Sequence, residues 1–240
     1  MPQLVWIKTD DPPDTFPDPR TALREPDGLL AAGGDLSPTR LLYAYRHGIF
    51  PWYSADQPIL WWCPDPRAVL FPDDLHISRS LRKTLRRRDY QVTLDGAFPQ
   101  VIQTCAGMRR NQTESGTWIT AAMQLAYTEL HRLGHAHSVE VWMEGELAGG
   151  LYGIAMGDVF FGESMFSRYT DASKLALVWL MKQLAAWGFR MLDCQVASTH
   201  LQTLGSVSIP RNDFLTLLDR HVTGNSHTGP WQLDIAPVFE

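Results

Sequence analysis

The sequence has few cysteines and no long apolar run, and both shortages exclude classes of protein. The three cysteines are odd in number, lie far apart and show no CxxC or Cys/His spacing, so neither a disulfide framework nor a zinc site is indicated. We expect Cys63, Cys105 and Cys194 to be reduced thiols, buried or half-buried. No stretch approaches the roughly 20 apolar residues of a membrane span, and the first residues lack the basic and apolar regions of a signal peptide. The sequence therefore predicts a cytoplasmic protein without a membrane partner.

An overall excess of positive charge is also absent. The chain carries 21 Lys+Arg and 26 Asp+Glu, a net charge of -5, which argues against a generally basic nucleic-acid-binding protein. The distribution is uneven, because residues 1–75 hold 11 acidic and 6 basic side chains whereas residues 76–240 hold 15 of each. Six cations without an acid between them fall within ten residues: Arg79, Arg82, Lys83, Arg86, Arg87 and Arg88. Local charge of this kind can still bind an anion.

Rigid aromatic side chains, in contrast, are concentrated in one segment. Residues 48–67 hold three of the nine tryptophans, Trp52, Trp61 and Trp62, together with four prolines. Proline fixes φ and removes a backbone donor, so irregular backbone would display these rings where they can stack on a flat partner such as a nucleobase. Closure of a small core by the same rings is the alternative.

Start and stop signals along the chain predict a mixed α/β protein with two domains. Ser37 as N-cap and Pro38 as first helical residue predict a helix through His47 that ends at Gly48. The proline pair at 64 and 66 precedes a strand-like run, which suggests a boundary between a domain at 1–65 and a domain at 66–240.

In the second domain, periodicity predicts alternating helices and strands. The predicted helices cover 78–88, 97–106, 120–133 and 172–187, with Asp95 capping the second and Asp171 the fourth. The predicted strands cover 68–71, 90–94, 137–142, 146–155, 158–162 and 190–195. This arrangement is typical of a mixed α/β layer.

The basic helix at 78–88 is predicted to be amphipathic. At 100° per residue its two leucines, Leu81 and Leu85, lie opposite a strip of four cations: Arg79, Arg82, Lys83 and Arg86. Such a strip suits a phosphodiester backbone, because it binds charge without reading sequence. A solvated basic face, or pairing with the acidic N-terminal third, fits the pattern equally well.

Three polar residues are candidates for catalysis. Glu163 is the one carboxylate of the apolar run 160–166, at the end of a predicted strand, which suggests an apolar cavity with one polar contact; pairing with Arg168 or Lys174 is the alternative. Strand alternation predicts that Asp193 and Gln195 share a face and that Cys194 points away from it. A carboxylate beside a carboxamide can orient and partly deprotonate an amine nucleophile, although both residue types also serve as plain hydrogen-bond anchors.

The remaining candidates come from the last predicted helix. Leu177, Leu180 and Leu184 share one of its faces, where they would either fill the core or form the wall of a pocket for an apolar side chain.

Cys194 lacks the sequence signature of a Cys/His pair and is a poor candidate for a nucleophile.

Ten short motifs run in order along the chain. They are LREPDGLL (23–30), GGDLSP (33–38), GIFPW (48–52), PILWW (58–62), PDPR (64–67), HISRS (76–80), GTWI (116–119), GHAHSVE (134–140), GESMFSR (162–168) and DCQ (193–195). Together they resemble the leucyl/phenylalanyl-tRNA-protein transferase family. The resemblance implies a small N-terminal α/β domain followed by an acetyltransferase-like (GNAT-like) domain.

The resemblance also implies an activity and its partners. Leu, Phe or, less well, Met would pass from aminoacyl-tRNA to a protein that begins with Arg or Lys, marking that protein for N-degron-dependent degradation. The ester of the aminoacyl-tRNA is already activated, so no cofactor, metal or nucleotide triphosphate is expected. We expect the protein to act as a monomer.

Residue roles follow from the same resemblance. Asp193 and Gln195 resemble the catalytic pair, and Glu163 matches an active-site acid that would complement the cationic acceptor. The residues expected near the terminal adenosine are Trp52, Trp118 and Tyr45. The residues expected to form the aminoacyl side-chain pocket are Leu151, Ser167, Leu177, Leu180 and Leu184. Those expected to contact the tRNA backbone are Arg79, Arg82, Lys83 and Arg86.

Two other functions remain open at this level. An acyl-CoA N-acetyltransferase would normally bind pyrophosphate in a glycine-rich turn before a helix, whereas residues 166–174 before the long helix contain no glycine. A non-catalytic tRNA-binding module would use only the basic helix and the aromatic rings.

Overall fold

The computed structural model describes residues 4–87, 89–112, 118–224 and 227–236, with side chains given outside 108–112. Residues 5–62 build a four-stranded sheet. Its elements are β1 (Val5–Ile7), β2 (Leu29–Gly33), α1 (Pro38–Arg46), β3 (Phe50–Pro51) and β4 (Leu60–Trp62). The strand order is β1-β2-β4-β3, with β1 parallel to β2 and the other pairs antiparallel.

Helix α1 has the ends predicted from the sequence. The Ser37 hydroxyl accepts a hydrogen bond from the Arg40 backbone N–H at 3.4 Å, and Pro38 occupies the first turn. The chain then turns at Gly48, whose φ of +74° lies in the left-handed region. A Cβ at this position would lie 2.8 Å from the Phe214 ring. Glycine is therefore required both by the backbone and by the packing that carries the chain into β3.

The described residues from 67 to 221 form a seven-stranded sheet with helices on both faces. Its elements in chain order are β5 (Arg67–Leu70), α2 (Arg79–Arg87), β6 (Gln91–Leu94), α3 (Phe98–Gln112), α4 (Ala121–Arg132), β7 (Ala136–Met143), β8 (Glu146–Met156), β9 (Val159–Ser167), α5 (Ala172–Ala186), β10 (Met191–Gln195), α6 (Thr199–Gln202), β11 (Val207–Ile209) and α7 (Arg211–His221). The order is β11-β5-β10-β9-β8-β7-β6, and among these pairs β9–β10 is parallel. The predicted mixed α/β class, with a small N-terminal unit, is confirmed.

Three predictions for these elements need correction. Strand β9 continues to Ser167, five residues past its predicted end, so Glu163 lies inside the strand. Asp171 occupies the N-cap position of α5 but makes no side-chain cap, since its carboxylate binds the Lys174 ammonium at 2.9 Å. Helix α3 extends to Gln112, past its predicted end at residue 106.

Arg88 and residues 116–117 of the GTWI motif lie outside the described residues.

Asp95 also has a different role from the predicted cap of α3. Its carboxylate accepts hydrogen bonds from the backbone N–H groups of Ser138 (2.9 Å) and Trp231 (2.7 Å), and it contacts Nδ1 of His137 at 2.9 Å. The Trp231 ring in turn stacks on His137, with centroids 3.7 Å apart. Asp95 therefore links the C-terminal segment, residues 227–236, to β7 through hydrogen bonds.

One hydrophobic core is shared by the two sheets. Trp61 and Tyr45 from the N-terminal unit pack in the same buried cluster as Tyr127, Phe161 and Phe214 from the second unit. A second cluster lies on the opposite face of the large sheet, mainly under α5 and α2. The chain passes from one sheet to the other between Trp62 and Arg67, where the predicted boundary at 65/66 would lie. Within the described residues, no helix has the length and apolar character needed to cross a membrane.

Candidate active site

A cavity of about 640 Å³ opens between β9, the end of β10, α5 and the N-terminal unit. This volume lies within the range of small-molecule sites. Its wall combines apolar and aromatic side chains with a few polar groups. The lining residues are Phe50, Pro51, Trp52, Trp118, Leu151, Tyr152, Phe160, Gly162, Glu163, Ser164, Met165, Phe166, Ser167, Ser173, Leu177, Leu180, Leu192, Cys194, Gln195, Val196, Ala197, Ser198, His200 and Leu201.

A β-bulge in β9 directs Glu163 to this cavity. In the pairing with β8, Gly162 lies opposite Gly153 and Ser164 lies opposite Tyr152, so Glu163 is the extra residue. Bulges of this kind re-aim a side chain and are common beside active sites. Glu163 is the one carboxylate among the residues that line the cavity.

Buried polar groups surround the Glu163 carboxylate. Its Oε1 accepts hydrogen bonds from the Tyr45 hydroxyl and from Nε2 of Gln195, each at 2.7 Å, and Tyr45 is also bonded to the Tyr127 hydroxyl. Burial raises the pKa of Glu163 to about 7, although hydrogen bonds from Tyr45, Tyr127 and Gln195 oppose that rise. Burial is the main cause that raises the pKa of Tyr45 well above its usual value, and the charge of the nearby Glu163 adds to that rise. The tyrosines are therefore neutral donors to a carboxyl that titrates near neutral pH.

The end of β10 is irregular as well, and this overturns the predicted alternation of side chains. Against β5, Asp193 pairs with Val69 and Gln195 pairs with Ala68, so Cys194 is an extra residue. Gln195 has a φ of +64°, in the left-handed region. Cys194 and Gln195 both line the cavity as a result, whereas Asp193 does not. The thiol is a poor nucleophile, because burial and the nearby Asp193 raise the pKa of Cys194.

Asp193 is fully buried and forms an ion pair with Arg67. Its Oδ1 and Oδ2 accept hydrogen bonds from Nε and Nη2 of Arg67 at 2.8 and 2.7 Å. Oδ1 also accepts the backbone N–H of Gln195 at 2.9 Å. Burial alone would lower the pKa of Arg67, but the Asp193 carboxylate outweighs it and leaves the pKa above its usual value. Asp193 thus reaches Gln195 through the backbone, and it does not meet the cavity itself.

Two of the three predicted adenosine contacts lie at the cavity wall. Trp52 is 43% exposed, and Trp118 is half-buried. The Trp62 indole N–H donates to the Trp52 carbonyl at 2.6 Å, and their rings lie 5.7 Å apart. The prediction for Tyr45 needs correction, because Tyr45 is completely buried, donates its hydroxyl hydrogen bond to Glu163 and does not line the cavity.

Four of the five predicted pocket residues line the cavity. Leu151, Leu177 and Leu180 supply apolar wall, and the Ser167 hydroxyl donates to the Tyr169 carbonyl at 2.7 Å. Leu184, one turn further along α5 than Leu180, is fully buried in the core under the sheet and does not reach the cavity. The prediction that Leu184 lines the pocket is therefore wrong.

The basic helix α2 is amphipathic as predicted. Leu81 and Leu85 are buried in the core under α5. The four cations of the predicted strip, Arg79, Arg82, Lys83 and Arg86, are exposed. Next to that strip, Arg87 forms an exposed ion pair with Asp89 at 3.0 Å.

Sequence reasoning missed Arg67, Tyr127 and His200. Arg67 belongs to the PDPR motif, but its partner Asp193 lies 126 residues away, and Tyr127 is 82 residues from Tyr45. His200 lines the cavity from the short helix α6, which the sequence did not predict. Of these three residues, only Arg67 belonged to a motif that marked it in the sequence. In the part of the chain that the structure describes, no group of three His, Cys, Asp or Glu side chains could hold a metal ion.

Two family models and several named relatives match this chain. The family model described as leucyl/phenylalanyl-tRNA protein transferase matches residues 69–219, and the model of that family's N-terminal domain matches residues 34–65. The chain is 61% identical over 219 residues to a leucyl/phenylalanyl-tRNA–protein transferase of Stutzerimonas stutzeri, covering 91% of this chain and 95% of the relative. It is 52% identical to the transferase of that name in Hahella chejuensis, covering 99% of each.

Two solved structures that resemble this chain have much lower sequence identity. A GCN5-related N-acetyltransferase from Kribbella flavida is 12% identical, with a TM-score of 0.38 and coverage of 71% of this chain and 60% of that one. L-PGS from Bacillus licheniformis is 10% identical, with a TM-score of 0.41 and coverage of 70% and 53%. Likenesses of this size support no conclusion about function.

Proposed function

Because this chain belongs to the leucyl/phenylalanyl-tRNA protein transferase family, it is an aminoacyltransferase, and we propose that it acts on aminoacyl-tRNA and on proteins. The donors are tRNAs charged with Leu, Phe or, less well, Met. The acceptors are proteins whose first residue is Arg or Lys, and the added residue marks them for N-degron-dependent degradation in the cytoplasm. The protein works as a monomer.

The reaction is an aminolysis of an ester. The α-amine of the acceptor attacks the carbonyl carbon of the aminoacyl group, the new C–N bond forms, and the C–O bond to the terminal ribose breaks. One amine proton is lost, and the released tRNA oxygen gains a proton to become a hydroxyl. The donor ester supplies the driving force, so the chemistry asks the protein for orientation and for a hydrogen-bond acceptor beside the amine.

One observation carries this proposal: the Gln195 carboxamide at the cavity wall is held by a buried carboxylate. Its Nε2 donates to Glu163, so its Oε1 is the end left for a donor such as an amine. Gln195 then accepts a hydrogen bond from the attacking amine. Glu163 orients that carboxamide, and its carboxylate favours an acceptor with a cationic side chain.

The remaining wall of the cavity suits the donor. Trp52 and Trp118 offer aromatic faces for the terminal adenine. Leu151, Leu177 and Leu180 offer an apolar surface for a Leu or Phe side chain, with Ser167 at its edge. The α2 cations lie on exposed surface, where they would contact tRNA phosphates without reading sequence.

Transfer of a labelled residue tests the proposal. Purified protein is incubated with radiolabelled Leu-tRNA and a substrate protein that begins with Arg, and label in the substrate is counted. The same substrate with an acetylated N-terminus is the control, because it has no free α-amine. Label on the free N-terminus alone is expected, and no label on either protein would refute the proposal.

Two variants separate catalysis from tRNA binding alone. Gln195→Ala and Asp193→Ala are expected to reduce label transfer strongly while tRNA binding stays close to that of the unsubstituted protein. If the chain were a binding module without catalysis, neither variant would change its function. Turnover of acetyl-CoA without activity on Leu-tRNA would point instead to an acetyltransferase.

A further inference from the structure

We propose that Arg67 is a positioning residue for aminoacyl transfer: it holds the Asp193 carboxylate against the backbone N–H of Gln195. The inference rests on the proposed function, because the group being positioned is the carboxamide that accepts from the attacking amine. Arg67 itself does not line the cavity, so it acts through Asp193.

The contacts of Arg67 leave the Asp193 carboxylate a single orientation. A guanidinium that binds both carboxylate oxygens fixes the plane of the carboxylate as well as its distance. With that plane fixed, Oδ1 lies 2.9 Å from the Gln195 backbone nitrogen. A single-point cation such as lysine could not set both oxygens in this way.

Gln195 needs such an anchor because of its backbone conformation. A φ of +64° is unfavourable for a residue with a side chain and persists only where surrounding contacts enforce it. The bond from the Gln195 N–H to Asp193 fixes the backbone, and the bond from Nε2 to Glu163 fixes the side chain. The two bonds together aim the carboxamide at the cavity.

Arg67 is itself held by aromatic rings from two other parts of the molecule. Its guanidinium carbon lies 4.8 Å from the centroid of the Phe50 ring in β3 and 4.5 Å from that of the Phe214 ring in α7. Phe50 also lines the cavity. The N-terminal unit, α7 and the large sheet therefore meet at this one side chain.

Kinetics of two substitutions test the inference. Arg67→Met and Arg67→Lys are expected to lower kcat for label transfer by about 100-fold, the loss that a displacement of roughly 1 Å produces. The KM values for aminoacyl-tRNA and for the acceptor are expected to change little, since Arg67 itself does not line the cavity. Circular dichroism gives the folded fraction, so that kcat is expressed per folded molecule. If the methionine variant does not fold, the kcat of the lysine variant tests the inference.

Arg40→Met is the matched control. Arg40 is also fully buried and paired, with Nε 3.0 Å from Asp35, but it lies in the N-terminal unit away from the cavity. This variant is expected to lower the melting temperature and to leave kcat unchanged. A kcat within twofold of the unsubstituted protein for the Arg67 variants, or an equal loss in Arg40→Met, would overturn the inference.

A double-mutant cycle separates positioning from packing. If Arg67 acts through Asp193, the Arg67→Met/Asp193→Ala protein has the kcat of Asp193→Ala alone. If Arg67 only fills space between the two phenylalanines, the two losses multiply and the inference fails. An unsubstituted protein without any label transfer would refute the proposed function, whereas an active one with normal Arg67 variants would refute this inference alone.

Discussion

The Glu163 carboxyl is buried among neutral donors, and this environment couples its proton to the stability of the fold. Its pKa is raised from 4.5 to about 7, chiefly by burial. The folded state therefore binds the proton more tightly than the unfolded chain does. The contribution of Glu163 to the free energy of unfolding therefore falls as the pH rises from about 4.5 toward 7, and it is constant above that range.

Glu163→Gln should remove this loss of stability at high pH. The amide keeps an oxygen that can accept from Tyr45 and Gln195 but carries no charge to desolvate. We expect its free energy of unfolding at pH 8 to exceed that of the unsubstituted protein by up to about 3 kcal/mol, at roughly 1.4 kcal/mol per pKa unit. Below pH 4.5 the gain should disappear. Urea unfolding at both pH values measures it, and an equal difference at both would contradict the assignment.

Trp52 is the residue on which the proposed stacking of the terminal adenine depends most directly. Trp52→Ala is expected to weaken binding of the aminoacyl-adenosine end of the donor by about 1–3 kcal/mol, the usual contribution of one stacked ring. Calorimetry with an aminoacyl-adenosine analogue measures the loss. Trp6→Ala is the control, because Trp6 is 63% exposed and does not line the cavity. Equal affinities of the two variants would exclude Trp52 from the adenosine site.

At the scale of single elements, substitutions in helix α2 test its proposed contact with tRNA. Replacing Arg82, Lys83 and Arg86 by glutamine is expected to weaken tRNA binding and to flatten its dependence on salt. Each lost phosphate contact should reduce the slope of log K against log[salt] by about 0.7–0.9. Filter binding over a salt series gives the slope. Lys182→Gln with Arg190→Gln serves as the control, since both side chains are exposed cations outside the strip, and an unchanged slope in the α2 variant would exclude phosphate contacts there.

The elements differ in how far the sequence predicts them. Helices α1 and α2 were predictable, because caps and apolar periodicity act within a few residues. The orientations of Gln195 and Glu163 relative to their neighbours were not. Each lies at a β-bulge, where one extra residue breaks the alternation on which strand predictions rest. The Arg67–Asp193 pair was also out of reach, because its partners meet only after the chain has folded.

For the whole molecule, residues 227–236 form a C-terminal strap that packs against β7, β9 and the end of α5. Trp231 packs against His137, Phe160 and Trp187, and Phe160 is part of the cavity wall. Asp234 accepts hydrogen bonds from the Gln183 side chain and from the Trp187 indole N–H. The strap therefore contacts the wall of the candidate site through Phe160.

Trp231→Ala should destabilise the protein as a large core truncation does. We expect a loss of about 3–5 kcal/mol in the free energy of unfolding, because an aromatic ring with 4% exposure leaves a cavity. Trp6→Ala, at an exposed strand edge, should change it by less than about 0.5 kcal/mol. Urea denaturation compares the two, and similar midpoints would show that the strap does not contribute to the core.

The shared hydrophobic core has a consequence for how such a chain can evolve. Trp61 and Tyr45 on one side, and Tyr127, Phe161 and Phe214 on the other, fill a single interior. Recombination that exchanged one sheet for an unrelated one would leave half of these side chains without complementary neighbours. Arg67 would also lose Phe50, one of its two aromatic contacts. The two sheets should therefore be inherited as a unit, and their sequences should change in concert along the line where they meet.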